Sequence, residues 1–521
     1  MLKLYNFFSR KLEVFRSIDE TVGLYTCGPT VYDYVHIGNW RTFVFEDVLK
    51  RTLEFDGYKV KHVMNLTDID DKIITKAKKD KIHISELTNT YADAFFADLE
   101  KLNIIKADKY PRATKEIGAM IDLIKKLLAN GSAYEKDGSV YFSISKFKDY
   151  GKLSGANIKG IKAGARVDVD EYEKDNPQDF ALWKVEGDIA KKRSEAFDSP
   201  WGIGRPGWHI ECSAMSMKNL GDPSTSRSTL RDKPSGADSK SSGRKLESFR
   251  TIDPFDKLRV DGRHSRTIDI HTGGVDLLFP HHENEIAQSE SATGKKFVNY
   301  WLEGEHLLVE GEKMSKRLKN IFTLADIEKK GFEPLALRHL FFTAHYRSKL
   351  NFTWESLQAS QNSLNHLRRE VSMWDEPKIG RSDSLGPEFS GRTSESLQTR
   401  MSCSEFEGDF TKAVNNDLDI PTAVSVMRKM AKSDYPTHAK HKSLLKMDEV
   451  LGLGFARVIK AKLPSGAEEL IEEREKMRGA GDFDGADKIR EKLIKLGLVI
   501  EDTKEGPIWQ LIHSTNSVQE K

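Results

Sequence analysis

Cysteine is nearly missing from this chain: Cys27, Cys212 and Cys403 are the only three in 521 residues. An odd number of widely spaced thiols makes a poor disulfide framework and points to a reducing compartment, the cytoplasm. No Cys-x-x-Cys pair occurs, so spacing alone marks no metal site. Long apolar runs are missing too. No stretch reaches the roughly 18 residues a membrane span needs, and Met1–Phe7 lacks the apolar centre of a signal peptide. Neither sign of charge dominates: 82 basic residues face 80 acidic ones, for a net charge of +2. That balance marks no nucleic-acid binder, but it leaves room for a local basic patch. What remains is a chain with 38% hydrophobic residues, long enough for three or four domains.

The first half alternates strand and helix signals. Val22–Cys27 is a short apolar strand that ends in Gly28-Pro29, and a helical stretch covers about Asn39–Phe55. Tyr58–Met64 alternates like a strand, and Asp68–Lys78 reads as a helix. This order predicts an α/β fold on a parallel sheet. Between about 114 and 201 a helix, a hairpin-like Ser139–Ser143 segment and a Gly-rich stretch break the rhythm, as an inserted subdomain does. Residues 222–266 are rich in Ser, Arg, Lys, Asp and Gly, and read as a disordered surface insertion. Deleting them is expected to spare activity. Residues 335–460 read as a helical bundle with a polar loop at 377–402. In 461–521, Ala486, Ile489, Leu493 and Leu496 recur at helical spacing, Gly497 sits at a helix C-cap, and two short strands flank Lys504-Glu505-Gly506.

Two segments carry phosphate chemistry in principle. His36 and Asn39 flank Ile37-Gly38 at the start of the first long helix, where both can face an anion. Lys313 and Lys316 bracket Met314-Ser315 on a loop introduced by Gly311. Alone, the first reads as a structural turn and the second as a solvated lysine loop. The thiols alone read as buried hydrophobes ahead of ligands or nucleophiles. Should Pro280 open a helix, His281 and Glu285 stand at i and i+4, a two-ligand half-site.

Taken together, His36-Ile37-Gly38-Asn39 and Lys313-Met314-Ser315-Lys316-Arg317 resemble the HIGH and KMSKS motifs of class I aminoacyl-tRNA synthetases. Asn39 stands for the second His and Arg317 for the final Ser. Cys27-Gly28-Pro29-Thr30, the Gly204–Met215 segment and Pro280–Glu285 are similar to signature segments of the cysteinyl-tRNA synthetases. The resemblance implies a Rossmann-like catalytic domain over 1–334, a helical bundle over 335–460 and a small C-terminal α+β anticodon-binding domain over 461–521. It implies one Zn²⁺ per subunit on Cys27, Cys212, His281 and Glu285, and Mg²⁺ with ATP. Its catalytic residues are His36, Asn39, Lys313 and Lys316.

ATP and cysteine contacts are implied at Gly28, Gly38, Thr67, Trp208, Gly273, Gly274 and Asp276, with Thr272 where the family usually has Gly. Contacts to tRNA are implied at Asp487, Arg490 and Trp509. The implied partners are L-cysteine, ATP and tRNA(Cys), with no membrane and a monomeric state. Two other readings compete: a ligase that joins activated cysteine to a small amine, and a zinc-bearing RNA-binding protein with a dead active site.

Overall fold

A computed structural model describes residues 1–156, 179–221, 267–315, 317–375, 402–458, 466–503 and 506–511, with backbone alone from 501 onward. The expected insertion at 222–266, most of the 377–402 loop, Lys316 and the Trp509 side chain lie outside the residues so described.

Four parallel strands form the central sheet: β1 (Thr21–Thr26), β2 (Lys59–Met64), β3 (Ile268–Gly274) and β4 (Val298–Gly304), in the order β4-β3-β1-β2. Alternation sorts their side chains. Val22 and Leu24 enter the core that holds Trp40, Phe95 and the helical bundle, whereas Tyr25 and Cys27 enter a second core with Ile210, Cys212 and Trp301. Parallel strands buried on both faces are what near-continuous apolar runs produce.

The chain leaves β1 through α1 (Ile37–Phe55) to β2 on one side, while β3 lies on the other. The crevice at the carboxyl ends of β1 and β3 is therefore the topological switch point, where open α/β sheets bind ligands. After β2 come α2 (Asp71–Asp80), capped by the Asp70 carboxylate on Ile73 N–H at 2.7 Å, and α3 (Ile84–Lys101). The expected helix at Asp68–Lys78 begins three residues later because Asp70 caps it.

An antiparallel four-stranded sheet is built from Ala133–Lys136, Ser139–Phe142, Phe180–Val185 and Gly204–Pro206. Its last strand leads into α4 (Trp208–Leu220). Further on, Leu307–Val309 pairs with both Glu312–Lys313 and Leu350–Phe352, so the Lys313 loop hangs from a small separate sheet. The bundle consists of Pro334–Phe341, Trp354–Ser372, Ser404–Val414, Ile420–Ala431 and Thr437–Leu451. At the C-terminal end, helices Ala467–Gly479 and Phe483–Lys495 pack with a hairpin, Leu498–Thr503 against Gly506–Leu511. Ile489, Leu493, Leu498 and Ile500 form a separate small core there.

The bundle is fastened to α1 by charge. Arg338, fully buried, pairs with buried Asp47 and donates to the Leu451 and Leu102 carbonyls at 2.7 and 3.0 Å. Beside it, His339 is 4% exposed and its Nε2 accepts from Arg428 Nη2 at 3.0 Å. Burial, and then the Arg428 charge, pull its pKa down to about 4. The folded state therefore holds His339 neutral while the unfolded chain protonates it. This contribution is complete above about pH 6.5 and falls away toward pH 4, up to roughly 3 kcal/mol. His339→Gln is expected to shrink the gap between the unfolding midpoints at pH 7 and pH 5; an unchanged gap in thermal melts would remove His339 from the acid response.

Candidate active site and metal centre

Three chain segments meet at the switch point. Cys27 leaves β1 with its N–H donating to the Thr272 carbonyl at 3.1 Å. Cys212 sits in the second turn of α4, whose N-cap is Gly207. The third segment meets the sequence expectation: Phe279 is extended (φ −139, ψ 129), and helical backbone starts at Pro280 and runs through His281 and His282 into the α-helix α5 (Glu283–Thr293). The i, i+4 relation holds, and His281 Nε2 lies 3.2 Å from Glu285 Oε1.

The four donor atoms converge. Cys27 Sγ and Cys212 Sγ are 3.9 Å apart, Cys27 Sγ is 3.9 Å from Glu285 Oε1, and His281 Nε2 is 3.4 Å from Cys212 Sγ. A tetrahedral ion with bonds of roughly 2.0–2.3 Å has edges of about 3.3–3.8 Å between its ligands. These spacings fit one small cation, and all four donors are buried. Two soft sulfurs, an imidazole and a carboxylate are the set zinc favours.

The protonation pattern suits ligation. A hydrogen bond from the Cys27 thiol, with His281 facing it, lowers Cys212 to about 6, whereas burial pushes Cys27 up. His281 is disfavoured as a cation by burial, yet the facing Cys212 thiolate and Glu285 raise it to about 10. A second group, Cys27, His271, His282 and Glu285, shares two of these residues.

Around the donors stands a shell of braces. His271 Nε2 meets Glu285 Oε2 at 2.9 Å, and His282 Nδ1 meets Glu303 Oε1 at 2.7 Å. His209 Nδ1 lies 2.9 Å from His281 Nδ1, and the Trp208 ring packs on His281 at 4.2 Å between centroids. Thr67 Oγ1 donates to Glu211 Oε2 at 3.0 Å, and burial pushes Glu211 well up from the usual carboxylate range. Gly28 is forced by close approach: a Cβ there would overlap the Asn65 carbonyl oxygen. Thr272 turns its hydroxyl to Glu46 Oε1 at 2.8 Å, inside the sheet–α1 layer.

The phosphate side lies next to it. His36 is the N-cap of α1, and its Nδ1 accepts the Asn39 N–H at 3.2 Å. That bond places the imidazole proton on Nε2, the nitrogen left to donate. Burial lowers the His36 pKa, against the opposing Asp276 charge, so the ring is neutral at pH 7. The Asn39 side chain is exposed at the rim. Gly273 lies against the His282 ring and Gly274 against the Asp276 carboxylate.

The Lys313 loop docks on this turn. Met314 Cε occupies the space where a Gly38 side chain would stand, Ile37 N–H donates to the Phe322 carbonyl at 2.8 Å, and His36 bridges Thr323. Asn320 shapes the loop: Oδ1 accepts Ser315 N–H at 2.8 Å and Nδ2 reaches the Lys313 carbonyl at 3.4 Å.

The family model described as "tRNA synthetases class I (C) catalytic domain" matches residues 14–229 and 260–362, and that described as "Cysteinyl-tRNA ligase anticodon binding domain" matches 460–509. The cysteine–tRNA ligase of Methanosarcina acetivorans is 42% identical, covering 97% of this chain and 98% of its own. That of Chlamydia muridarum is also 42% identical, again covering 97% and 98%. The chain belongs to the cysteine–tRNA ligase family. A Mycobacterium tuberculosis methionyl-tRNA synthetase bound by methionyl-adenylate overlays with a TM-score of 0.51 at 13% identity, over 89% of this chain and 96% of that one, a likeness of fold.

Within this ligase the site residues foreseen from motifs divide by location. Cys27, Cys212, His281 and Glu285 converge with Thr67, Trp208 and the Gly28, Gly273 and Gly274 backbone nearby. Asp487 is exposed and Arg490 half-buried on the C-terminal helix, in the small domain. His271, His282, Glu211, Glu303 and Asn320 carry no spacing signal and were not foreseen; only the doubled His281-His282 hinted at one of them. The catalytic-domain match leaves out 230–259, within the expected insertion.

A metal titration tests the centre. Cys212→Ser is expected to abolish stoichiometric binding of Zn²⁺ or Co²⁺. His271→Ala, which unbraces Glu285, should weaken it roughly 10–100-fold. Unchanged affinity in both variants, measured by competition with a chelating dye, would disprove the assignment.

Proposed function

We propose that this protein activates L-cysteine with ATP to cysteinyl-adenylate and transfers the cysteinyl group to the 3′ end of tRNA(Cys). The observation that carries the reading is the buried Cys27–Cys212–His281–Glu285 tetrad set directly beside the His36 turn. Cys27, Cys212, His281 and Glu285 would hold one Zn²⁺ per subunit, which would supply a preference for a substrate thiolate over the serine hydroxyl, whose shape is nearly the same.

The chain's own residues do the rest. Trp208 and Thr67 wall the amino-acid pocket, and Glu211 accepts the Thr67 hydroxyl proton and so orients that side chain. The Gly28, Gly273 and Gly274 backbone admits the flat adenylate. The cysteine carboxylate attacks the α-phosphate of ATP, which enters with Mg²⁺, and pyrophosphate leaves. His36 Nε2–H and the ammonium groups of Lys313 and Lys316 meet the charge that builds on the phosphates, with Asn39 at the rim. The ribose hydroxyl of the tRNA then attacks the activated carbonyl and releases AMP. No protein nucleophile is required; positioning and electrostatics suffice.

The match of 460–509 to an anticodon-binding domain favours tRNA over a small amine acceptor. The docked Lys313 loop favours an active catalyst over a dead one. A monomer acting in the cytoplasm completes the reading. Lys313→Ala should slow cysteine-dependent pyrophosphate exchange roughly a hundredfold. Zinc-replete protein should charge tRNA with labelled cysteine and not serine. Charging with serine at a comparable rate, or none with cysteine by folded, zinc-loaded protein, would refute the proposal.

A further inference from the structure

Among the large apolar side chains of the described residues, the exposed aromatics are Tyr34, 54% exposed, and Phe483, 60% exposed. Phe483 belongs to the C-terminal domain. Tyr34 lies two residues before His36, on the rim of the site. Just over half of its surface is open to solvent at the mouth of a polar crevice, which leaves a flat face free to stack.

The surroundings of Tyr34 are basic and form one surface. Its ring packs edge-on with Tyr91 at 5.1 Å. Lys76 sits over Tyr91 at 4.4 Å, donates to its hydroxyl at 2.8 Å and pairs with Asp33 at 3.4 Å. Lys72, with Nζ 5.9 Å from the Tyr32 ring, and exposed Lys79 share the Lys76 face of α2 at helical spacing. Two acidic neighbours are engaged, Asp33 by Lys76, and Asp71 by Arg205 and Lys184, while Asp80 stands exposed at the far end of the helix. The helix that carries the row is capped by Asp70, three residues past Thr67 in the amino-acid pocket, and Lys72, Lys76 and Lys79 follow at increasing distance along it.

We propose that Tyr34 and the Lys72–Lys76–Lys79 row form the landing surface for the unpaired 3′ nucleotides of the tRNA, an inference that rests on the charging reaction above. The terminal ribose has to reach the activated carboxylate, so the nucleotides before it run out over this rim. Lysines spaced along a helix meet successive phosphates, and an exposed ring stacks on a base whatever its identity. An aromatic flanked by cations is the combination that single-stranded RNA requires and a small amine acceptor does not.

The experiment separates the two chemical steps in the full-length, zinc-loaded protein. Cysteine-dependent pyrophosphate exchange without tRNA reads adenylate formation; charging at varied tRNA reads the docking. Tyr34→Ala is expected to leave exchange within twofold of wild type and to raise KM for tRNA about tenfold or more. Tyr34→Phe, which keeps the stacking face, should restore wild-type KM. Lys72→Glu with Lys79→Glu should raise KM for tRNA and flatten its dependence on salt. Tyr34→Ala with an unchanged KM for tRNA, or with exchange and charging lost together, would overturn the proposal. Wild-type protein that neither exchanges nor charges with cysteine would sink the charging reading itself, a result seen before any variant is made.

Discussion

The last rung between the two central strands, from Cys27 N–H to the Thr272 carbonyl at 3.1 Å, sets the geometry of the centre. Leu24, Tyr25 and Thr26 pair with Ile270, His271 and Thr272, so Cys27 and Gly28 leave β1 beside Gly273 and Gly274 leaving β3. A slip of one residue would turn Cys27 to the opposite face, toward the helical bundle. The tetrad would then lose the residue that lies within 3.9 Å of both Cys212 and Glu285. The same rung keeps the crevice open on one side only, where α1 begins with His36 as its cap.

Keeping so many polar groups dry is costly, and the structure answers with braces. Glu285 is held down from the usual carboxylate range: burial opposes its charge, but His271 and His281 outweigh that. His282, pulled down to about 4 by burial, stays neutral against Glu303, whose own range burial pushes well up. An isolated charge in such a place would cost several kcal/mol. Here Glu285 and His282 each answer to a partner, while His271 Nδ1 and Glu303 Oε2 keep no hydrogen-bond partner among the described residues. A cation on the four donors would complete this balance, and its binding energy would count toward folding.

Much of this could be read from the chain alone, and the reasons differ by element. Val22–Cys27 and Tyr58–Met64 announce themselves by alternation and apolar content, and the parallel sheet follows from the strand-helix rhythm, though its strand order does not. The C-terminal unit was legible from Gly497, which has φ +83, and from the two short apolar segments that pair as Leu498–Thr503 and Gly506–Leu511. The tetrad was not legible from spacing, because its members come from three separate elements that only the sheet topology brings together. His271 hides inside an unbroken buried strand, and Glu303 at the end of another. The helix start at Pro280 was legible from proline itself, which forces the preceding Phe279 into the extended conformation and fits the first helical position. Asn320 looks like any loop residue until its amide is seen bridging Lys313 and Ser315.

The two phosphate-side segments, far apart in sequence, are joined mainly through backbone. Ile37 meets the Phe322 carbonyl, His36 bridges Thr323, and Met314 fills the space that Gly38 leaves. One turn farther into α1, the Arg41 guanidinium donates to the Glu305, His306 and His345 carbonyls at 2.9, 2.7 and 3.2 Å and also to that of Ser348. Those carbonyls belong to the segments that enter and support the small sheet from which the Lys313 loop hangs. A planar fork with fixed donors can span four acceptors on two segments; a lysine ammonium on a flexible stem cannot hold that geometry. Helix α1 thus carries the cap that faces the phosphates at one end of its first turns and the clamp on the opposing loop at the other. A displacement of α1 moves both together, so the distance between His36 and Lys313 is set by one helix rather than by two independent loops.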